Sequence, residues 1–246
     1  EWADGKEIAV HAFFGGVLGT LYSALQFAFA PIWGALSDRI GRRPTLLITL
    51  VGTVAGYALW VVAGSFALLV ASRLLCGIAA GNISTASAVV ADTTSGRDRA
   101  KGMGILGMGI GLGFVIGPAI GALTGTIDLL ERYPGGASFG LNPFSAAALC
   151  SLVLALLNLV WVAMRFSETL PEDRRGSGDG SERRGWNPFG ALASLAFPGV
   201  PRTNVLYLLY LTAFSAIEFT LVFLAVERFA YTPRDNGWMF VFVGLT

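Results

Sequence analysis

Long stretches without a charged residue are the feature that most constrains this chain. Asp, Glu, Lys and Arg are absent from residues 8–37, 44–72, 102–127 and 133–164. A helix that crosses a bilayer needs about 20 mostly apolar residues, and a soluble protein has no reason to repeat runs of that length. Backbone groups in lipid must be satisfied internally, which favours helices, and the alternation typical of a transmembrane barrel is missing.

These runs predict six membrane-spanning helices and the beginning of a seventh. We expect the spans at about residues 10–36, 44–63, 66–92, 102–125, 142–165 and 204–226, with the seventh starting near residue 236. The predicted fold class is therefore an all-α, polytopic membrane protein with the lipid bilayer as a partner. Charged residues make up only 13% of the chain and the net charge is +1, which excludes a basic nucleic-acid-binding surface and an ordinary soluble enzyme.

The basic residues indicate the orientation and the division of the chain. Twelve of the 17 Lys and Arg residues lie in loops 37–43, 93–101 and 165–203, so these loops are expected in the cytoplasm. The long connection contains a flexible Gly- and Ser-rich stretch, and a short surface helix is predicted at Ala191–Phe197. We predict an N-terminal helix bundle at 1–165, a cytoplasmic linker at 166–203 and the start of a C-terminal bundle at 204–246.

The first cytoplasmic loop carries the most informative polar cluster. It combines one carboxylate, three guanidiniums and two glycines, on residues Gly34, Asp38, Arg39, Gly41, Arg42 and Arg43. Gly41 permits a tight turn, and Arg–carboxylate pairs can lock one conformation and release it in another. The alternative is a cytoplasmic anchor that has no further role.

Two ionisable residues lie inside predicted spans, where charge is costly and indicates a functional site. Arg73 and Glu218 lie roughly 10 Å and 12 Å from the outer ends of their spans at 1.5 Å per residue. Our hypothesis is that Glu218 is a proton or cationic-substrate site and Arg73 is its electrostatic partner. The alternatives are a structural ion pair for Arg73 and a fixed, hydrogen-bonded carboxyl for Glu218. Asn82 contacts substrate or makes an interhelical hydrogen bond.

A stripe of small residues runs along the fourth predicted span. Glycine recurs at every fourth position, at Gly109, Gly113, Gly117, Gly121 and Gly125. Such a stripe allows another helix to approach closely.

Several of these motifs resemble one family of transporters. The pattern Gly34-x-Leu36-x-Asp38-Arg39-x-Gly41-Arg42-Arg43 resembles the signature between helices 2 and 3 of the major facilitator superfamily. Arg73, followed four residues later by Gly77, resembles its helix-4 pattern, although Cys76 stands where many drug transporters have Gln. The run from Gly113 through Gly117-Pro118 to Gly121 resembles the helix-5 signature of proton-coupled antiporters.

The last part of the chain points to a narrower branch of that family. Glu218-Phe219-Thr220, Val226–Phe229 and Asn236–Phe240 resemble the tetracycline-transporter-like eukaryotic branch. The resemblance implies that the chain is a fragment covering about helices 2 to 7 and the start of helix 8 of a twelve-helix protein. It also implies that helices 2 and 4 are neighbours, so that Asp92 reaches Arg39 or Arg42.

The resemblance implies secondary active transport by alternating access. We expect proton-coupled antiport or multidrug-type export of small amphipathic organic compounds, with protons and a small-molecule substrate as partners and without enzyme activity, cofactor or metal. A uniporter or symporter of the same fold is one alternative, and a non-transporting truncated membrane protein is another. The expected location is the plasma membrane or a vacuolar or other internal membrane.

Overall fold

The structure, a computed structural model, describes residues 2–175 and 200–245, and within them a few side chains, that of Glu218 among them, are not described. The helices of these ranges are α1 (Trp2–Ile40), α2 (Arg42–Val61), α3 (Phe66–Ala79), α4 (Ile83–Thr93), α5 (Gly96–Thr124), α6 (Leu129–Arg132), α7 (Ser145–Arg165), α8 (Val200–Phe229) and α9 (Pro233–Leu245). The short surface helix predicted at Ala191–Phe197 lies outside the described residues.

Six helices are long and apolar enough to cross a membrane, which confirms the predicted number of spans. They comprise residues 13–40, 42–61, 66–93, 96–132, 145–165 and 205–229. Large apolar side chains are exposed along them, for example Trp161 and Leu208, as expected for surfaces that face lipid. The chain is therefore an integral, multi-pass membrane protein.

One predicted span is interrupted near its middle. The segment expected at 66–92 consists of α3 and α4 joined by a 3-10 turn, Ala80–Asn82. Carbonyls at this interruption accept side-chain donors from α1: Gln26 Nε2 donates to Ala80 O at 3.3 Å and Trp33 Nε1 to Ile78 O at 2.6 Å. Such side-chain donors satisfy backbone groups that lipid leaves without water.

Small and polar residues bring α1, α2 and α3 close together. A Cβ built on Gly77 would lie 2.9 Å from the carbonyl oxygen of Tyr22, so only glycine allows α1 and α3 this approach. Ser72, which is fully buried, donates its hydroxyl to Gly56 O across the α2–α3 contact at 2.9 Å. Small side chains and interhelical hydrogen bonds of this kind are typical of helix packing in membranes.

Hydrogen bonds join the C-terminal end of α2 to the N-terminal end of α7. Ser145, the first residue of α7, donates its hydroxyl to Val61 O at 2.7 Å, and Asn142 Nδ2 donates to Ala63 O at 3.3 Å. These bonds connect the end of α2 and the loop after it to the start of α7, and α2 also packs against α7.

The glycine stripe of α5 has no packing partner among the described residues. A Cβ built on Gly109, Gly113, Gly117 or Gly121 would meet no atom within 4 Å. Helix α9 packs on a neighbouring face of α5 instead, where Gly237 lies against the side chain of Ala122 and near Pro118 O. The expected close approach is therefore made by an adjacent face, and any role of the antiporter-like residues in transport stays a prediction.

The last long helix, α8, begins at Val200, before the residue 204 expected for the C-terminal unit. It passes α1 at Gly16, where an added Cβ would lie 3.5 Å from the ring of Phe219.

At the start of α9, Thr232 and Asp235 cap each other: the Thr232 N–H donates to the Asp235 carboxylate, and the Asp235 N–H donates to the Thr232 hydroxyl. The division into two bundles and a linker stays a proposal.

Candidate functional site

Arg42 is the centre of the polar cluster at the end of the bundle that the sequence predicts to be cytoplasmic. Its side chain is buried, and Nη1 donates to Asp38 Oδ1 at 2.6 Å and to Ser37 Oγ at 2.7 Å. Nε donates to Asp92 Oδ2 at 2.8 Å, which confirms the expected contact of Asp92 with this loop. Arg39 is exposed and has no ion pair among the described residues. One guanidinium thus connects the ends of α1 and α4 to the start of α2.

A third carboxylate, on Glu168 just after α7, caps the first turn of α2. It accepts the backbone N–H of Arg42 at 2.9 Å and of Arg43 at 3.1 Å, together with those of Thr169 and Leu170. Partial burial raises the pKa of Glu168, but the four backbone donors lower it by more, so its pKa lies below the ordinary value. The carboxylate also neutralises the positive end of the α2 dipole.

The turn between α1 and α2 requires the glycine that the sequence predicts there. Gly41 has a φ of 109°, a region that residues with a side chain rarely adopt, and its N–H donates to Ser37 O at 3.1 Å. A Cβ at this position would also collide with the carboxylate of Glu168. Gly41 therefore serves both the turn and the approach of the capping carboxylate.

Sequence reasoning did not identify Glu168, because its partners are 125 and 126 residues away along the chain. The same junction is strengthened by Arg43, whose Nη2 donates to Ala163 O near the end of α7 at 2.8 Å. Arg175 donates to Leu170 O and lies 4.0 Å from the Glu168 carboxylate. The segment after α7 is thus joined to the first cytoplasmic loop.

Arg73 lies at a cavity in the outer part of the bundle. The cavity has a volume of about 460 Å³, within the range of small-molecule sites. Its walls come from α1, α2, α3 and the loop before α7, and are formed by Gly15, Leu18, Gly19, Tyr22, Ser23, Tyr57, Trp60, Leu69, Arg73 and Phe144. Arg73 is the charged member of a mainly aromatic and apolar lining.

The guanidinium of Arg73 is held by an aromatic ring and is short of acceptors. Its Cζ lies 4.1 Å from the centre of the Trp60 ring, a cation–π contact. Nε and Nη2 are both buried and have no hydrogen-bond partner among the described residues. A buried charged donor without an acceptor is costly, and inside a membrane it indicates a functional site.

The structure leaves the other two predicted substrate residues undecided. The side chain of Glu218 is outside the described residues, so its pairing with Arg73 stays a prediction. Asn82 lies in the 3-10 turn and donates Nδ2 to Thr49 Oγ1 at 3.3 Å, which is an interhelical hydrogen bond. Gly34 packs near Ser84, where α1 meets α4.

Comparison with known proteins places these features in one family. The sequence profile of the Major Facilitator Superfamily matches residues 5–246. The bovine major facilitator superfamily domain-containing protein 10 is 36% identical over 249 residues, covering 95% of this chain and 51% of that protein. The class B tetracycline resistance protein of Escherichia coli is 38% identical over 161 residues, covering 65% of this chain and 37% of that protein.

A solved structure agrees with these relatives. The crystal structure of the human organic anion transporter MFSD10 (TETRAN) superimposes with a TM-score of 0.73 at 35% identity, covering 95% of this chain and 55% of that chain. The chain spans about half the length of the bovine and human domain-containing proteins 10 that it matches. The profile match over nearly all residues, together with the helices and the first cytoplasmic loop, shows that this chain belongs to the Major Facilitator Superfamily.

Proposed function

We propose that the protein is a secondary active transporter that exports small amphipathic organic compounds in exchange for protons. The observation that carries this proposal is the cavity at Arg73, in which a buried cation without an acceptor lies among aromatic side chains. The relatives support the substrate class, since their names concern an organic anion transporter and tetracycline resistance. The work is conformational exchange driven by differential binding and needs no covalent step.

The cluster at Arg42 supplies the proposed cytoplasmic lock. Arg42 joins Asp38 and Asp92 while Glu168 holds the first turn of α2, so opening this end of the bundle requires several charge-assisted bonds to separate together. Such bistable sets of ion pairs are the usual elements of switching transitions. In this proposal the lock is closed in one state and released in the other.

Proton coupling is proposed through Glu218. In this proposal Arg73 approaches Glu218 in one state and leaves it in the other, so the proton affinity of Glu218 differs between the two states. Asn82 positions α4 through Thr49 rather than binding substrate in this scheme.

The test is transport in proteoliposomes with an imposed pH gradient and a panel of labelled amphipathic compounds that includes tetracycline. We expect a gradient to drive saturable flux of at least one compound, and Glu218→Gln to abolish the dependence on the gradient. Flux that is equal with and without a gradient indicates a uniporter, and flux in the direction of the protons indicates a symporter. No flux of any compound would contradict a transport function.

A further inference from the structure

The connection between α5 and α7, residues 125–144, is held against the loop that follows α2. Gly140 lies so close to that loop that a Cβ on Gly140 would collide with Val62 O, and a Cβ on Gly64 would lie 2.9 Å from Gly140 Cα. Asn142 Nδ2 adds the hydrogen bond to Ala63 O at 3.3 Å. The part of the connection next to α7 therefore has a defined position on the helices.

The helices to which it is joined show where the hydrocarbon core of the bilayer ends. Helix α2 has 20 residues and α7 has 21. At 1.5 Å per residue each is roughly 30 Å long, which is the thickness of the hydrocarbon core. The bond from Ser145 to Val61 O, 2.7 Å long, joins the end of α2 to the start of α7. These two helix ends mark the core boundary opposite the Arg42 cluster, and Gly140 lies beside it.

An apolar row runs along the connection at this boundary. Residues Pro134–Phe139 form a 3-10 helix, and three residues per turn place Gly136 and Phe139 on one edge of it. Leu141 covers Gly136, since a Cβ on Gly136 would lie 2.5 Å from Leu141 Cδ1. The Phe139 side chain is 78% exposed, and that of Tyr133, the residue before the 3-10 helix, is 61% exposed.

The chemistry and the position of this row favour lipid as the partner. No charged residue occurs in 133–144 that would hold the row in water. Phe66 and Phe144, the residues at the starts of α3 and α7, are also exposed, and the surface continues into exposed Leu149 and Val153 on the membrane-spanning part of α7. Aromatic side chains are enriched at the interface between membrane and water, where their rings lie at the level of the head groups.

We infer that Tyr133, Leu141 and Phe139 lie in the head-group interface of the bilayer, on the side opposite the Arg42 cluster, and anchor the connection there. The anchor matters for α5, because none of the residues of that helix is buried in the described structure. Lipid contact at the connection then helps to fix the end of α5 at Thr124. This role goes beyond transport, and the position of the row can be measured without a substrate.

The depth of a nitroxide spin label tests the inference directly. Phe139→Cys would be labelled in the protein with Cys150→Ala, since the other cysteine, Cys76, is buried. The protein would be placed in phosphatidylcholine nanodiscs, and collisions of the label would be measured with oxygen, which concentrates in lipid, and with a nickel chelate, which stays in water. We expect the label to lie about 5–10 Å below the head-group surface, as the apolar faces of interfacial elements do.

Two further positions make the measurement specific. A label at Tyr133→Cys should lie at a similar depth to the label at residue 139. A label at Glu131→Cys, an exposed charged residue of the same connection, should lie in water. Because all three side chains are largely exposed, we expect each variant to keep the Tm of the unlabelled protein. Equal depths at residues 139 and 131 would overturn the inference.

The same spectra identify any other occupant of the row. Free access of the nickel chelate to the label at residue 139 means that the row lies in water. Shielding from both oxygen and nickel means that another part of a protein covers it. Spectral broadening that disappears when labelled protein is diluted with unlabelled protein means that a second copy binds there. Each of these three results would overturn the inference, whereas failure of the transport proposal would leave the expected depths unchanged.

Discussion

Removing the carboxylate of Glu168 tests how the segment after α7 supports the cytoplasmic end of the bundle. In Glu168→Ala, the N–H groups of Arg42 and Arg43 lose their acceptor at the first turn of α2. The N–H groups of Thr169 and Leu170 lose the same acceptor within their own segment. The variant therefore removes four hydrogen bonds to one charged group, and of the two links between α2 and the end of α7 only the bond from Arg43 to Ala163 O remains.

The expected cost follows from the burial of these donors. Loss of a helix cap costs about 0.5–2 kcal/mol, and a hydrogen bond to a charged group contributes about 1.5–3 kcal/mol. The Glu168 side chain is 20% exposed, so water replaces part of what is lost. We expect a destabilisation of about 2–3 kcal/mol, or a fall in Tm of roughly 4–12 °C for a chain of this size.

The assay is thermal unfolding of the detergent-purified protein, followed by tryptophan fluorescence. Glu172→Ala is the matched control, because Glu172 belongs to the same segment but is 91% exposed and makes only a long contact with Arg175. It should change stability by less than about 0.5 kcal/mol. Similar Tm values for the two variants would refute the capping role.

The pH dependence adds a second check. Because the pKa of Glu168 lies below its ordinary value of 4.5, its contribution is fully present above that pH and is lost as the pH falls through the lowered value. The Tm difference between the unaltered protein and Glu168→Ala should therefore be constant near neutrality and shrink below pH 4.5. A difference that grows on acidification would contradict this assignment.

Four further substitutions, with Gly96→Ala as a control, test the packing and the lock. Arg42→Gln and Asp92→Asn should each lower the Tm of the protein. The double variant should lose about 1–3 kcal/mol less unfolding free energy than the sum of the two single losses, because both remove the same ion pair. Additive losses would argue against the pair. Gly41→Ala should cost about 1–3 kcal/mol through backbone strain, whereas Gly96→Ala, which meets open space, should be neutral or slightly stabilising in the same unfolding assay. Gly77→Val should cost about 1–3 kcal/mol because α1 and α3 must separate, and an unchanged Tm would contradict their close contact.

The number of spans was predictable because apolar length is a local property of the sequence. The residues at which the helices begin and end were less predictable from the sequence. Helix α1 continues to Ile40, past the predicted end at residue 36, and α5 begins at Gly96, before the predicted start at 102. In both cases the added residues include charged side chains, and the helix continues through them. Charge therefore indicates where the membrane ends rather than where the helix ends.

Features set by contacts between distant segments could be predicted only in part. Asp92 was expected near the first cytoplasmic loop, and it pairs with Arg42. The capping by Glu168 and the 3-10 turn at Ala80–Asn82 had no local signal, because both depend on partners elsewhere in the chain. The glycine stripe of α5 meets no neighbour among the described residues, because the spacing of small residues does not decide which face of a helix packs.

The most direct test of this account is the flux of the best-transported compound through proteoliposomes that contain the unaltered protein, Arg73→Gln or the control Glu172→Ala. The account predicts saturable flux for the unaltered protein and the control, and its loss in Arg73→Gln at equal protein content, because the cavity cation binds what is transported. Equal flux in the unaltered protein and Arg73→Gln would contradict the central claim that the Arg73 cavity is the transport site.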